Sequence, residues 1–203
     1  MSLWIVIAIC FLPIILFLGW TSSFREKNPD IFGYILSLLG TFVGIVIGLY
    51  FNDIASLNDK QNRTVKVYQA SKEEMEWLIN RAKTIDILSD SLPSREHQKF
   101  YNLELPPFYS QTLRSELISE ISHPLSLEKF NIIRENLLFN VALLRQDSKL
   151  KNKKKLDEDL TEYKIQLNYS INAIDLEIKL LNEEISEQDF EKESKILLKK
   201  LMR

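Results

Sequence analysis

Five lysines lie within seven residues of the sequence and form its densest group of basic side chains. Positive charge at this density attracts phosphate, so the matching ligand would be a nucleotide, a nucleic acid or an anionic lipid. Downstream of residue 53, however, 24 basic residues face 25 acidic ones, whereas nucleic-acid-binding domains usually carry a broad basic surface. Two interpretations stay open, an anion site and a solvated linker between helices, and we expect no direct sequence-specific binding of DNA. The cluster comprises Lys149, Lys151, Lys153, Lys154 and Lys155.

Other reactive side chains are sparse. The single cysteine, Cys10, lies inside an apolar run, and the two histidines, His97 and His123, are far apart, so a disulfide framework or zinc module lacks its ligands. No glycine-rich phosphate loop and no G-x-S-x-G nucleophile motif occurs. We therefore predict a protein that is not an enzyme and uses no metal or cofactor, with the histidines in surface or helix-capping positions.

Two uncharged runs dominate the first 53 residues. Residues 2–20 and 31–52 are each close to the roughly 20 residues that a helix needs to cross a bilayer, and aromatic side chains lie near their ends. The first run lacks a basic start and ends in bulky Trp20, so we expect a retained span rather than a cleaved signal peptide. The short connection between the runs predicts an antiparallel transmembrane hairpin over residues 1–53.

The basic residues beside these runs predict the topology. Arg25 and Lys27 lie in the connection, whereas Lys60, Arg63 and Lys66 follow the second run. Because basic residues are enriched on the cytoplasmic side, this excess of three to two favours a cytoplasmic C-terminal domain. We therefore expect a multi-pass protein of the cell inner membrane.

Four of the five glycines lie in the second span and share one helical face. Small residues spaced one turn apart let another helix approach closely. The face would pack either against the first span of the same chain or against other copies in a dimer or ring. No charged residue within the span marks an ion pathway, so a pore is permitted by the sequence and not indicated by it. The face consists of Gly33, Ser37, Gly40, Gly44 and Gly48.

The remaining 150 residues contain no glycine and few prolines, which favours long helices and an all-α fold. Residues 54–90 are predicted to form a juxtamembrane helix, because a seam of apolar residues is interrupted only by Gln61, Thr64 and Ser71. This helix would be either a stalk between protomers or a solvated helix. The apolar seam comprises Ile54, Leu57, Tyr68, Met75, Leu78, Ala82 and Ile85.

Residues 91–203 are predicted to form a soluble helical bundle. A short amphipathic helix begins at Pro106 and Pro107 and is ended by Pro124, and Ser126 caps the next helix. A long helix with two apolar rows follows over residues 156–185, and residues 186–203 form the last helix.

The layout is similar to that of small two-span membrane effectors of bacterial antiphage defence. It resembles retron-associated transmembrane effectors first and CRISPR cyclic-oligoadenylate-gated membrane proteins second. The resemblance covers the whole chain in architecture, and its one motif is Leu-Gly-Thr-Phe-Val-Gly-Ile-Val-Ile-Gly-Leu-Tyr-Phe-Asn at residues 39–52. It implies a protein kept silent by a regulatory protein, or by a partner containing nucleic acid or nucleotide, until infection releases it to damage the inner membrane.

These patterns lead to two functional hypotheses. In the first, the chain forms homo-oligomers through its glycine face in the lipid bilayer and permeabilises the membrane when its soluble domain is triggered. In the second, the chain is a membrane-anchored scaffold whose helical domain recruits a protein partner.

Overall fold

The computed structural model describes residues 8, 11, 12, 15, 26–89, 103–150 and 153–202. These residues form α-helices, one 3₁₀ helix and their connections, with no strand among them, so the all-α prediction is confirmed. Most of residues 2–20, and His97, lie outside the described residues, and the hairpin therefore remains a prediction. The elements are α1 (Pro29–Ser89), α2 (Pro107–Ser110), the 3₁₀ helix (Thr112–Arg114), α3 (Glu116–Ile121), α4 (Pro124–Leu150), α5 (Lys153–Leu181) and α6 (Glu187–Leu201).

Helix α1 belongs to both compact units of the chain, Met1–Asp59 and Lys60–Arg203. It is long and apolar enough to cross a membrane, and only 6% of its most apolar 18-residue stretch is buried. No proline or glycine follows Gly48 in this helix, so nothing in the sequence interrupts its hydrogen-bond ladder before Ser89.

The second half of α1 supplies core residues to the second unit. Tyr68, Met75 and Ala82 are fully buried there. Thr64 and Ser71 are buried too. Their hydroxyls donate to backbone carbonyls one turn earlier, at 2.9 and 2.7 Å, so neither hydroxyl is left without a partner in the core. This part of the predicted stalk packs into its own bundle, whereas Ile54 and Leu57, earlier in the seam, are exposed.

The region before α4 differs from the expectation in two ways. The predicted short helix is divided into α2, the 3₁₀ helix and α3, and the Ser115 hydroxyl caps α3 by accepting from the Ile118 N–H at 3.4 Å. Pro124 begins α4 instead of ending the preceding helix, as a proline at the first helical position can, because its missing N–H would have had no partner there.

His123, not Ser126, caps α4. Its Nδ1 accepts from the Leu125 N–H at 3.2 Å, and its carbonyl accepts from the Ser126 N–H at 2.8 Å. The capping role expected for this histidine is therefore confirmed, and the predicted Ser126 cap is wrong.

Helices α4, α5 and α6 pack together and enclose the core with α1. Lys72 of α1 pairs with Asp175 of α5 at 2.8 Å, and Lys164 of α5 pairs with Asp86 of α1 at 2.9 Å, so these two helices run antiparallel. The last helix begins at Glu187, capped by Ser186, as the sequence predicts to within one residue. Fully buried core residues include Phe130, Ile133, Leu137, Leu144, Leu160, Tyr163, Leu167, Ile174 and Phe190.

Candidate functional site

The glycine face lies on the exposed first part of α1. Gly33, Gly40, Gly44 and Gly48 are all exposed, and spacings of three or four residues with Ser37 put them on one side of the helix. Among the described residues, no atom beyond the glycine's own chain neighbours and the adjacent turns of helix backbone lies within 4 Å of a Cβ built at any of the four glycines. The face is therefore open within this part of the chain.

Its polar neighbour does not obstruct the face. The Thr41 hydroxyl donates to the Ser37 carbonyl at 2.9 Å, one turn earlier on the same helix. Because this hydroxyl already donates to a carbonyl of its own helix, it needs no other partner in an apolar environment and leaves the glycine backbone accessible to a second helix.

Further along α1, Tyr68 connects the helix to the interior of the bundle. Its hydroxyl shares a short hydrogen bond with the buried Ser122 hydroxyl. Its ring lies 5.9 Å from the Phe108 ring and 5.8 Å from the Phe130 ring, within the range of favourable aromatic pairs. Burial raises the pKa of the Tyr68 phenol, so the group stays neutral and can keep this bond.

Next to Ser122, a buried carboxylate holds the beginning of α4. Glu177 of α5 accepts a hydrogen bond from the His123 backbone N–H at 2.8 Å and another from the Ser126 hydroxyl. Burial raises the pKa of Glu177, and the two hydrogen bonds and the charge of Lys129 oppose that shift. The position of Glu177 explains why Ser126 is buried, because the Ser126 hydroxyl donates to this carboxylate of α5 and does not cap α4.

Lys129 is the second buried ionisable group of this cluster. Its side chain is 0% exposed, its Nζ donates to the Ser194 hydroxyl of α6 at 2.8 Å, and it lies 4.6 Å from the centre of the Phe190 ring. Burial lowers its pKa to about 8, and the Glu177 carboxylate acts in the opposite direction. The ammonium is held by a hydroxyl, an aromatic face and a nearby carboxylate on α5 and α6.

A serine hydroxyl beside a lysine of lowered pKa is also the arrangement of a Ser–Lys nucleophile. Ser194 and Lys129 are both 0% exposed, so a substrate cannot reach the Ser194 oxygen in this conformation. The pair therefore suits a structural role that joins α4 to α6.

His123, Glu187 and Glu191 place one ligand atom each within 4.8 Å of one another, which is a spacing compatible with a metal ion. The orientation of the imidazole does not suit a metal. Nδ1 accepts the Leu125 N–H, so the proton of the neutral ring lies on Nε2, the atom that faces Glu187 at 3.8 Å. A metal on Nε2 would require the ring proton on Nδ1, and that N–H would then face the Leu125 N–H, a second donor. The group instead fits an electrostatic contact between the α4 cap and α6.

The structure describes part of the lysine cluster. Lys153, Lys154 and Lys155 are exposed in the first turn of α5, whereas Lys151 and the side chain of Lys149 lie outside the described residues. Lys154 lines a shallow pocket together with three carboxylates, which weaken the positive potential there. These carboxylates belong to Asp157, Glu158 and Glu162. Anion binding by the cluster remains a prediction.

Sequence reasoning missed the buried Lys129 and Glu177. A signal for both exists, because each takes a place in the three- and four-residue spacing of buried positions on its helix. Lys129 and Phe130 precede Ile133, and Glu177 follows Ile174. A charged residue at a core position of an otherwise apolar row indicates a buried polar contact.

No protein-family model, curated protein or solved structure matches this chain.

Proposed function

We propose that this chain is a membrane effector that is not an enzyme: copies associate through the glycine face of α1 and permeabilise the bilayer when the bundle is triggered. One observation carries the proposal. The helix that exposes Gly40, Gly44 and Gly48 in an apolar, membrane-length segment also supplies Tyr68 and Met75 to the bundle core.

This shared helix supports coupling between trigger and membrane. A change of packing in the bundle acts on a helix whose side chains it buries, and helices transmit rotation or displacement along an unbroken hydrogen-bond ladder. The buried contact of Tyr68 with Ser122 is the place where such a change would act on α1, and the Glu177 carboxylate that holds the start of α4 lies close enough to act on the Tyr68 phenol.

The open glycine face supports self-association. An apolar segment with a smooth face gains packing contacts when a second helix covers it, while the exposed Phe42 and Ile45 can face lipid. The resemblance to antiphage effectors adds a biological setting, in which a regulatory partner of the same defence system holds the bundle silent at the inner membrane.

Bacteria expressing the full chain test this proposal through membrane potential and dye uptake. The Gly44→Leu variant fills the face with a branched side chain and should abolish depolarisation. Ile45→Leu places the same side chain one residue away, outside the face, and should behave as the wild type. Membrane fractionation must show equal insertion of all three proteins.

Depolarisation by Gly44→Leu equal to the wild type would rule out the glycine-face mechanism. Intact membranes around inserted wild-type protein would instead favour the second candidate, a membrane-anchored scaffold. That candidate has support in large apolar side chains exposed on the bundle, among them Trp77 at 58% and Phe139 at 64%, which suit a protein partner. It predicts that an unrelated two-span anchor can replace residues 1–52 without loss of function.

A further inference from the structure

A cavity of about 450 Å³ lies between α4, α5 and the last turn of α6. Its size is within the range of small-molecule pockets in proteins. The walls combine apolar side chains with amide and charged groups, which is the usual composition of a ligand site. Its lining includes Asn136, Phe139, Asn140, Glu162, Ile165 and Lys200.

The polar groups of this cavity are only partly used within the bundle. Asn136 Nδ2 donates to Gln166 Oε1 at 3.3 Å, and Gln166 Nε2 donates to Glu162 Oε1 at 2.8 Å. Asn140 is 5% exposed, and its buried Nδ2 has no hydrogen-bond partner among the residues that the structure describes. A buried donor without a partner destabilises the folded protein unless something accepts its hydrogen bond, and rotation of the amide would present it to a ligand.

Two opposite charges lie in the lining of the same cavity. Lys200 makes no ion pair with any residue that the structure describes, and Glu162 Oε2 accepts no hydrogen bond from them either. Beside them, Phe139 is 64% exposed and Ile165 is 39% exposed, and both offer an apolar surface. A ligand complementary to this set carries a carboxylate, an ammonium group and an apolar side chain.

We propose that this cavity binds a small zwitterion with an apolar side chain, such as a free aromatic amino acid. The carboxylate of the ligand is held by the Lys200 ammonium and the Asn140 side-chain amide. Its ammonium group is held by the Glu162 carboxylate and by the side-chain oxygen Oδ1 of Asn136. Its side chain lies against Phe139. Charge-assisted hydrogen bonds of both signs then fix the orientation of the ligand.

Three related compounds test the assignment on the detergent-solubilised full chain by titration calorimetry. L-Phenylalanine carries both charges, 3-phenylpropionate lacks the ammonium, and phenethylamine lacks the carboxylate. L-Phenylalanine should bind more tightly than either analogue, by about tenfold or more for each charge-assisted hydrogen bond lost. Phe139→Ala, which changes an exposed side chain, should weaken all three.

Charge-neutralising variants assign each group of the ligand. Lys200→Gln should weaken the binding of L-phenylalanine and 3-phenylpropionate about tenfold and leave that of phenethylamine unchanged. Glu162→Gln should weaken the binding of L-phenylalanine and phenethylamine about tenfold and leave that of 3-phenylpropionate unchanged. Lys199→Gln and Glu158→Gln remove the same charges from neighbouring positions outside this lining and should have no effect.

Two results would overturn the proposal. The first is the absence of binding of L-phenylalanine and of L-leucine at millimolar concentration. The second is equal binding of L-phenylalanine and both analogues, which would reveal a purely apolar contact. Neither result bears on membrane permeabilisation, because the cavity assignment does not depend on it.

Discussion

Replacement of Lys129 by methionine should change how the stability of the bundle depends on pH. Burial lowers the pKa of this lysine to about 8, from 10.5 for a solvated lysine. Between these two values the unfolded chain binds more protons than the folded protein, so the free energy of unfolding rises with pH. The cost of burying the ammonium is thus fully present below pH 8 and is lost as the pH approaches 10.5.

The magnitude follows from the size of the shift. Each pKa unit corresponds to about 1.4 kcal/mol, so from pH 7 to pH 10 the wild type should gain between about 2 and 3 kcal/mol from this group. Lys129→Met keeps the unbranched side chain beside Phe190 and has no proton to lose. The buried tyrosines, whose pKa values Lys129 does not perturb, titrate in both proteins and cancel in the difference.

The assay is urea unfolding of the detergent-solubilised full chain, followed by circular dichroism at several pH values from 7 to 10. The stability of the wild type relative to Lys129→Met should increase across this range by the amount given above. Lys192→Met, at an exposed position on α6, should run parallel to the wild type. If the Lys129→Met and wild-type curves are also parallel, the ammonium is not buried as described.

Three other substitutions test individual contacts by the same unfolding measurement. Asn140→Leu removes a buried donor to which the described part of the chain offers no acceptor and should stabilise the bundle by about 1 kcal/mol; a loss of stability would show that the amide is satisfied. Tyr68→Phe deprives the buried Ser122 hydroxyl of its partner and should cost about 1 to 2 kcal/mol, whereas no change would mean that the bond contributes nothing. Ser186→Ala removes the hydroxyl that accepts from the Asp189 N–H at 3.2 Å and should cost about 1 kcal/mol, with Ser186→Asn, another capping residue, close to wild type.

The sequence predicts α1 and the fold class well because both depend on patterns within one helix. The absence of proline and glycine between residues 49 and 89, with the apolar seam through Tyr68 and Met75, is sufficient for a continuous helix. The same reasoning places α6 over residues 186–203, whereas its Ser186 cap is a finding of the structure.

The buried polar cluster depends on contacts between distant segments, which no local pattern specifies. Lys129 meets Ser194, 65 residues later, and Glu177 meets His123, 54 residues earlier. Charged residues are rarely buried unless paired, so their exposure is the reasonable expectation from sequence alone. Pro124 illustrates the same limit at short range, since proline fits either beyond the end of one helix or at the beginning of the next.

If α1 couples the bundle to the membrane, a break in this helix between the two should abolish activity at the membrane. Leu57 is half-exposed and lies between the glycine face and the first buried residue of the bundle, Thr64. The measurement is membrane potential in bacteria that express the full chain as wild type, Leu57→Pro or Leu57→Ala. Proline removes a backbone hydrogen bond and kinks the helix, whereas alanine preserves it.

We expect depolarisation by the wild type and by Leu57→Ala, and none by Leu57→Pro, with all three proteins inserted to the same extent. Depolarisation by Leu57→Pro at the wild-type level would contradict coupling through α1, because the membrane segment would then act without a continuous helix to the bundle.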